Sequence, residues 1–134
     1  MTGLEAFKKA FEQNEDIVKV KISSEYPEFS LRAISAEQDK EIRRSCTTRK
    51  ALNSRKNQYE EKLDADKYMD QLIIATVVEP NLKSQELQDM FGVMGAEALL
   101  ARLKVGDYMQ LLLAVKDVNG YDLNPEEQNE ELKN

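Results

Sequence analysis

Few residues in this sequence could do chemistry on their own. The chain of 134 residues contains one cysteine, Cys46, and no histidine. Cys46 follows Arg43 and Arg44, and neighbouring cationic side chains lower the pKa of a thiol and favour a nucleophilic thiolate. Without a histidine or a second cysteine as partner, the pattern favours a small buried side chain with a structural role. A single cysteine also excludes an internal disulfide and points to a reducing compartment.

Pairs of carboxylates are the other candidates for chemistry. Neighbours one position apart on a helix do not face each other, so we interpret most of these residues as surface or capping groups. None of the pairs has the spacing of a calcium loop, and the missing histidine removes the common zinc sites and catalytic triads. We therefore expect no enzyme, no catalytic residue, no metal and no cofactor. The pairs are Glu60 with Glu61, Asp64 with Asp66, and Glu126 with Glu127.

Composition predicts a soluble protein. Apolar residues make up 41% and charged residues 33% of the chain, near the globular average. No apolar run approaches the roughly 18 to 20 residues of a membrane helix, and the first residues do not resemble a secretory signal. We expect no membrane contact and a location in the cytoplasm.

A basic run between residues 43 and 58 contains no acidic residue. Such a run could contact nucleic-acid phosphates or an acidic protein surface, or it could form a solvated hairpin. The net charge of −6 and the lack of interleaved aromatic residues argue against nucleic acid, so a protein contact is favoured. The basic residues are Arg43, Arg44, Arg49, Lys50, Arg55 and Lys56.

The elements that position these residues start with a helix and a hairpin. Apolar residues at helical spacing predict a short helix over residues 4–11, with both phenylalanines on one face. Alternation predicts strands over residues 16–23 and 29–34, paired as a hairpin. Ser35 and Gln38 form a capping box that begins a helix ending near Arg44. Strands at residues 47–48 and 59–63, with a turn at 53–57, are predicted next.

The second half reads as a series of helices. Asp64 is an N-cap for a helix with the clearest apolar stripe, which includes Val77, and Pro80 ends it. Ser84 caps a helix over residues 85–91, which Gly92 terminates. Two further helices are predicted at residues 95–104 and 107–119, separated by Gly106.

The predicted architecture is α+β. Residues 1–120 form a single domain in which a small antiparallel β-sheet or hairpins from the N-terminal half pack on a C-terminal cluster of short helices. Residues 121–134 form an acidic, flexible C-terminal tail. The last helix has one apolar stripe through Tyr108, Leu112 and Val115, and a second side that contains Met109. It belongs either in the core or, in part, against a partner.

Several blocks of sequence, in order, resemble one family. They are Leu31-Arg-Ala-Ile34, Ile42-Arg-Arg-Ser-Cys-Thr47, Asp66-Lys-Tyr-Met69, Val78-Glu-Pro-Asn-Leu82, Glu86-Leu-Gln-Asp89 and residues 91–97. The chain resembles the XkdN-like tail assembly chaperones of tailed phages and defective prophages. The resemblance covers nearly the whole chain, although Phe91 stands where the family often has tyrosine.

The resemblance implies a factor in virion morphogenesis. Such chaperones bind the tape measure protein, keep it soluble and promote assembly of the tail tube around it, and they are absent from the mature tail. The expected partners are therefore the tape measure protein and the tail tube protein, in the cytoplasm of the bacterial host, with self-association left open. A structural tail or connector component is the alternative.

A protein-binding surface is the remaining prediction. Adaptable methionines, the broad last helix and the basic run suggest its residues. They are Phe91, Val93, Met94, Tyr108, Met109, Leu112, Arg49, Lys50, Arg55 and Lys56.

Overall fold

The computed structural model describes residues 2–53 and 58–121. Residues 54–57 of the predicted turn, and all of the predicted tail except Tyr121, lie outside the described residues. Within the described part, six helices and five strands follow one another along the chain. The helices are α1 Gly3–Gln13, α2 Ala36–Ser45, α3 Ala65–Thr76, α4 Gln85–Met90, α5 Ala96–Leu100 and α6 Val105–Val118. The strands are β1 Val18–Val20, β2 Phe29–Leu31, β3 Thr47–Asn53, β4 Gln58–Leu63 and β5 Val77–Glu79.

The predicted pairing in the first half is confirmed, with shorter strands. β1 runs antiparallel to β2, with Val18 opposite Leu31 and Val20 opposite Phe29. β5 pairs antiparallel with the other edge of β2, so β2 is the central strand of a three-stranded sheet. All three residues of β2 are buried, as expected for a central strand covered on both faces.

The placement of Val77 on a helical stripe was wrong. α3 ends at Thr76, and Val77 adopts extended dihedral angles and begins β5. Two consecutive β-branched valines favour extended backbone, and pairing with β2 supplies hydrogen-bond partners for that backbone. Pro80 therefore follows a strand and does not end the helix.

Helix starts follow their capping residues as predicted. Ser35 accepts a hydrogen bond from the backbone of Gln38, whose side chain bonds back to the Ser35 amide. Asp64 caps α3 by accepting from the Lys67 amide, and Ser84 caps α4. A second capping box, formed by Thr2 and Glu5, begins α1. Each cap provides an acceptor for an amide that has no partner within its helix.

The last two helices differ from their predicted bounds. α5 ends at Leu100, and α6 already begins at Val105, so Gly106 lies in the first turn of α6. Lys104 takes the extended conformation of an N-cap. An isolated glycine in a helix is tolerated at modest cost, and it did not act as a break here.

The core lies between the three-stranded sheet and the helices of the second half. Its most buried side chains come from β2, α3 and α6, and Cys46 is only 1% exposed beside them, consistent with the structural role expected from its context. The predicted α+β class is confirmed. The fully buried large side chains are Leu31, Leu72, Ile73, Leu111 and Val115. No helix in the described ranges is long and apolar enough to cross a membrane.

β3 and β4 form a separate antiparallel hairpin. Its strands are longer than predicted, and residues 48–52 and 58–62 are exposed, whereas Thr47 and Leu63 at the base are half-buried. There the Asp64 amide donates to the Cys46 carbonyl at 2.9 Å. The hairpin therefore projects from the body of the protein.

Candidate protein-binding groove

An apolar groove of about 480 Å³ opens between the end of the three-stranded sheet and helices α4 and α5. Four of its lining residues are buried core side chains, Phe29, Leu82, Leu99 and Leu100. Its walls are the half-buried Tyr26, Leu87 and Leu103. Phe91 lies at the mouth and is 49% exposed. We call this feature the apolar groove.

The position of α4 beside the groove depends on a buried glutamine. Gln88 is 8% exposed, and its amide nitrogen donates to the Leu82 carbonyl at 3.1 Å. Its amide oxygen accepts from the Gly95 backbone at 3.0 Å. One side chain thus holds the loop before α4 and the turn after it, which fixes Leu87 and Phe91 at the groove.

On the wall of the groove opposite α4, two aromatic rings pack against each other. The rings of Tyr26 and Phe29 meet edge to face, with centroids 6.3 Å apart and an interplanar angle of 77°. This geometry is the favourable one for aromatic pairs. Lys104 lies 3.2 Å from Glu25 in an exposed ion pair that links the same loop to the start of α6.

The charged residues at the groove are mostly acidic. Glu28 and Glu79 line it on the sheet side, and Arg102 is the basic lining residue. A shallow neighbouring cleft shares Glu79, Pro80 and Leu87 and adds Glu86 and the exposed Met90. The combined surface is an apolar trough with an acidic edge. Such a surface suits an amphipathic helix with basic flanking residues.

The predicted binding residues at positions 91–94 lie near this groove to different degrees. Phe91 lines it. Val93 is half-buried and packs against the core, whereas Met94 is 93% exposed and lies outside the groove lining.

The predicted binding residues on α6 point in different directions. Leu112 is 4% exposed and lies in the core, so it is not presented on the described surface. Met109 is 47% exposed. Tyr108 is half-buried, and its hydroxyl donates to Asp70 at 2.6 Å. One side of α6 thus lies in the core, as one of the two alternatives predicted, and the contact of the other side with a partner stays a prediction.

In the folded hairpin, acidic residues of β4 lie opposite basic residues of β3 and reduce the net positive charge of the basic run. Arg49 lies opposite Glu61 in the hairpin, and Lys50 lies opposite Glu60. The guanidinium of Arg49 also stacks over the Tyr59 ring, 4.1 Å from its centroid. Arg55 and Lys56 lie outside the described residues. The hairpin is distinct from the groove, and none of its described residues lines it.

The sequence of this chain matches a family of known proteins. A sequence model of the phage XkdN-like tail assembly chaperone proteins matches residues 4–133. The chain belongs to this family. Its role is therefore in phage tail assembly, and the resemblance drawn from the sequence blocks is confirmed.

Two further matches bear on this member of the XkdN-like chaperones. The protein YqbN of Bacillus subtilis (strain 168) is 30% identical over 108 residues, which are 79% of this chain and 71% of YqbN. The crystal structure of YqbN superimposes with a TM-score of 0.67 over 80% of this chain and 87% of that chain, at 22% identity. The structural match supports the shared fold.

Several groove residues of this XkdN-like chaperone were missed in the sequence. Tyr26 lies between the two predicted strands that end at residue 23 and begin at residue 29, and Leu87 lies in the predicted helix over residues 85–91. Leu99 and Leu103 lie four positions apart, a spacing that gives one helical face but does not say what the face meets. Phe29, in β2, and Pro80, directly after β5, come together in the groove only because β5 pairs with β2.

A second apolar surface lies on α1. Leu4, Phe7 and Phe11 are 83%, 69% and 69% exposed, and α1 contributes no buried residue. The predicted placement of both phenylalanines on a helical face is therefore consistent with the helix, but that face is not covered by the described part of the chain. We call Leu4, Phe7 and Phe11 the α1 stripe.

Proposed function

We propose that this chain binds the tape measure protein of its phage through the apolar groove, without catalysis. Bound there, it keeps the tape measure soluble in the host cytoplasm and promotes assembly of the tail tube around it. The observation that carries the proposal is the apolar groove with its acidic edge in a member of the tail assembly chaperone family. The chain is not a component of the mature tail.

The chemistry of the groove supports a helical ligand. A long helix-rich protein exposes apolar stripes that aggregate before the tube encloses them. An amphipathic helix enters a groove through apolar anchors on one face, and its basic flanking residues would lie beside Glu28 and Glu79. A groove of this size buries a few side chains, so each contact has moderate affinity and the bound chain can be displaced as the tube grows.

Co-expression tests the proposal directly. The chain should raise the soluble yield of its tape measure protein and elute with it on a sizing column. Phe91→Asp places a charge at the groove mouth and should abolish co-elution. Leu113→Asp is the matched control, because Leu113 is 43% exposed on α6 and lies outside the groove lining.

Three results would oppose the proposal. The first is a tape measure protein that stays insoluble with the wild-type chain, and the second is equal co-elution of both variants. The third comes from mass spectrometry of mature tails, where the chain in fixed stoichiometry would indicate the structural alternative.

A further inference from the structure

The α1 stripe and the apolar groove are complementary surfaces of the same molecule. The stripe residues Leu4, Phe7 and Phe11 stand at positions i, i+3 and i+7, the spacing of the anchors by which a helix enters a groove. Lys8 is the charged residue nearest to this stripe on the helical wheel and forms an exposed ion pair with Glu12 at 3.9 Å, and the groove edge carries Glu28 and Glu79. The anchor spacing and the apolar character of the two surfaces therefore match.

α1 is built as an independent helix. Its own capping box, between Thr2 and Glu5, satisfies its first amides, and its side chains contribute nothing to the core. A short amphipathic helix is marginal in water unless its apolar face is packed. If the apolar face stayed exposed in a monomer, α1 would lack the packing that is its main source of stability.

In the structure, the α1 stripe does not line the apolar groove of its own chain. Residues 14–17 join α1 to β1. β1 begins at Val18 opposite Leu31, whereas the groove lies at the other end of β2, beyond Phe29. Phe11 instead borders a separate cleft of about 860 Å³.

We propose that two copies of this chain form a reciprocal dimer in which the α1 stripe of each docks in the apolar groove of the other. Two phenylalanines and a leucine bury on the order of 400 Å² from one helix, and the receiving groove loses roughly half that area. One contact is too small for a stable complex. The reciprocal arrangement covers both surfaces of each copy, on the order of 600 Å² per protomer, which is the lower end of the range for standard stable interfaces.

Sedimentation of the full-length chain alone tests the dimer. The wild type should sediment as a dimer at tens of micromolar. Phe7→Asp in the stripe and Phe91→Asp in the groove should each sediment as monomers. Ala6→Asp introduces the same charge beside the stripe, at an exposed position off its face, and should remain dimeric.

A mixing experiment identifies which surfaces meet. The Phe7→Asp chain keeps a working groove, and the Phe91→Asp chain keeps a working stripe, so an equimolar mixture should form a weak heterodimer that neither variant forms alone. Circular dichroism should show that both variants are folded.

Several results would overturn the dimer. They are a monomeric wild type, a dimer that persists in Phe7→Asp, or a dimer lost in Phe7→Asp but intact in Phe91→Asp, which would mean that two α1 helices pack together. None of these measurements contains the tape measure protein. The dimer can therefore be disproved while the proposed function stands, and the proposed function can be disproved while the dimer stands.

Discussion

At the scale of single residues, a few polar side chains hold distant segments together. Asn119, directly after α6, accepts a hydrogen bond from the Ile34 amide at 2.9 Å. Its amide nitrogen donates to the Thr76 hydroxyl at 3.0 Å and to the Val115 carbonyl at 2.9 Å. One side chain therefore connects the segment after β2, the end of α3 and the end of α6.

Replacing Asn119 should be costly. Asn119→Ala leaves the half-buried Ile34 amide and the buried Thr76 hydroxyl without these partners, so the free energy of unfolding should fall by about 1–3 kcal/mol. Urea unfolding measures the change. Asn81→Ala is the control, because within the described residues the exposed Asn81 side chain accepts one hydrogen bond, from the Lys83 amide, and its effect should stay within about 0.5 kcal/mol. Equal effects would contradict the bridging role of Asn119.

Two tyrosines should make stability depend on alkaline pH. Burial and a hydrogen bond to Asp70 raise the pKa of Tyr108, and burial with hydrogen bonds to Asp39 and Tyr121 raises the pKa of Tyr68. In the unfolded chain both tyrosines have a pKa of about 10. Above that pH the unfolded state binds fewer protons than the folded state, so stability falls. The contribution is fully present below about pH 10 and is lost as the pH rises toward the folded pKa values.

The expected slope is about 1 kcal/mol per pH unit for each tyrosine above pH 10. Urea unfolding at pH 8 and at pH 11 measures it, and the double variant Tyr68→Phe/Tyr108→Phe should show a shallower loss between the two. A slope unchanged in the double variant would rule out these tyrosines as its source.

At the scale of elements, turns decide how α4 and α5 frame the groove. Gly95 has a φ of +92°, a region that residues with a side chain rarely adopt, and its amide donates to the buried Gln88. Gly106 lies in the first turn of α6, and an added Cβ there meets nothing within 4 Å. Position 95 therefore requires glycine, whereas position 106 can accept a side chain.

The same substitution at these two glycines should have opposite effects. Gly95→Ala should lower the free energy of unfolding by about 1–2 kcal/mol, because the backbone is strained and the new Cβ lies 3.2 Å from a Glu97 carboxylate oxygen. Gly106→Ala should raise it by about 0.4–1 kcal/mol, since alanine favours the helix. Thermal and urea unfolding of both variants measure the difference. A stabilised Gly95→Ala variant would show that this turn does not need glycine.

At the scale of the whole molecule, the two proposals compete for one groove. If α1 of a second copy occupies the groove, the tape measure helix meets only the free fraction, which weakens its apparent affinity. Phe7→Asp should therefore bind a tape measure fragment several-fold more tightly than the wild type at micromolar chain concentration. Phe91→Asp should bind it more weakly than either. Fluorescence titration of a labelled fragment measures both, and a Phe7→Asp variant no tighter than wild type would mean that α1 does not block the groove.

Local signals in the sequence were enough for most elements. Ser35, Asp64 and Ser84 predicted helix starts because a capping side chain acts within three residues of its own position. Gly92 marked a helix end through its left-handed backbone. The ordered sequence blocks also identified the family.

What the sequence by itself determined is therefore the backbone preference of each short segment, the lack of histidine and the family. The tertiary structure alone decided that Val77 continues into a strand, because its hydrogen-bond partners lie in β2, far away in the chain. It also decided that Leu112 is buried while Met109 is exposed, and that Glu60 and Glu61 face the basic strand. The groove has the same origin. Its residues come from separate segments, and no local preference encodes which of them meet once the core is packed.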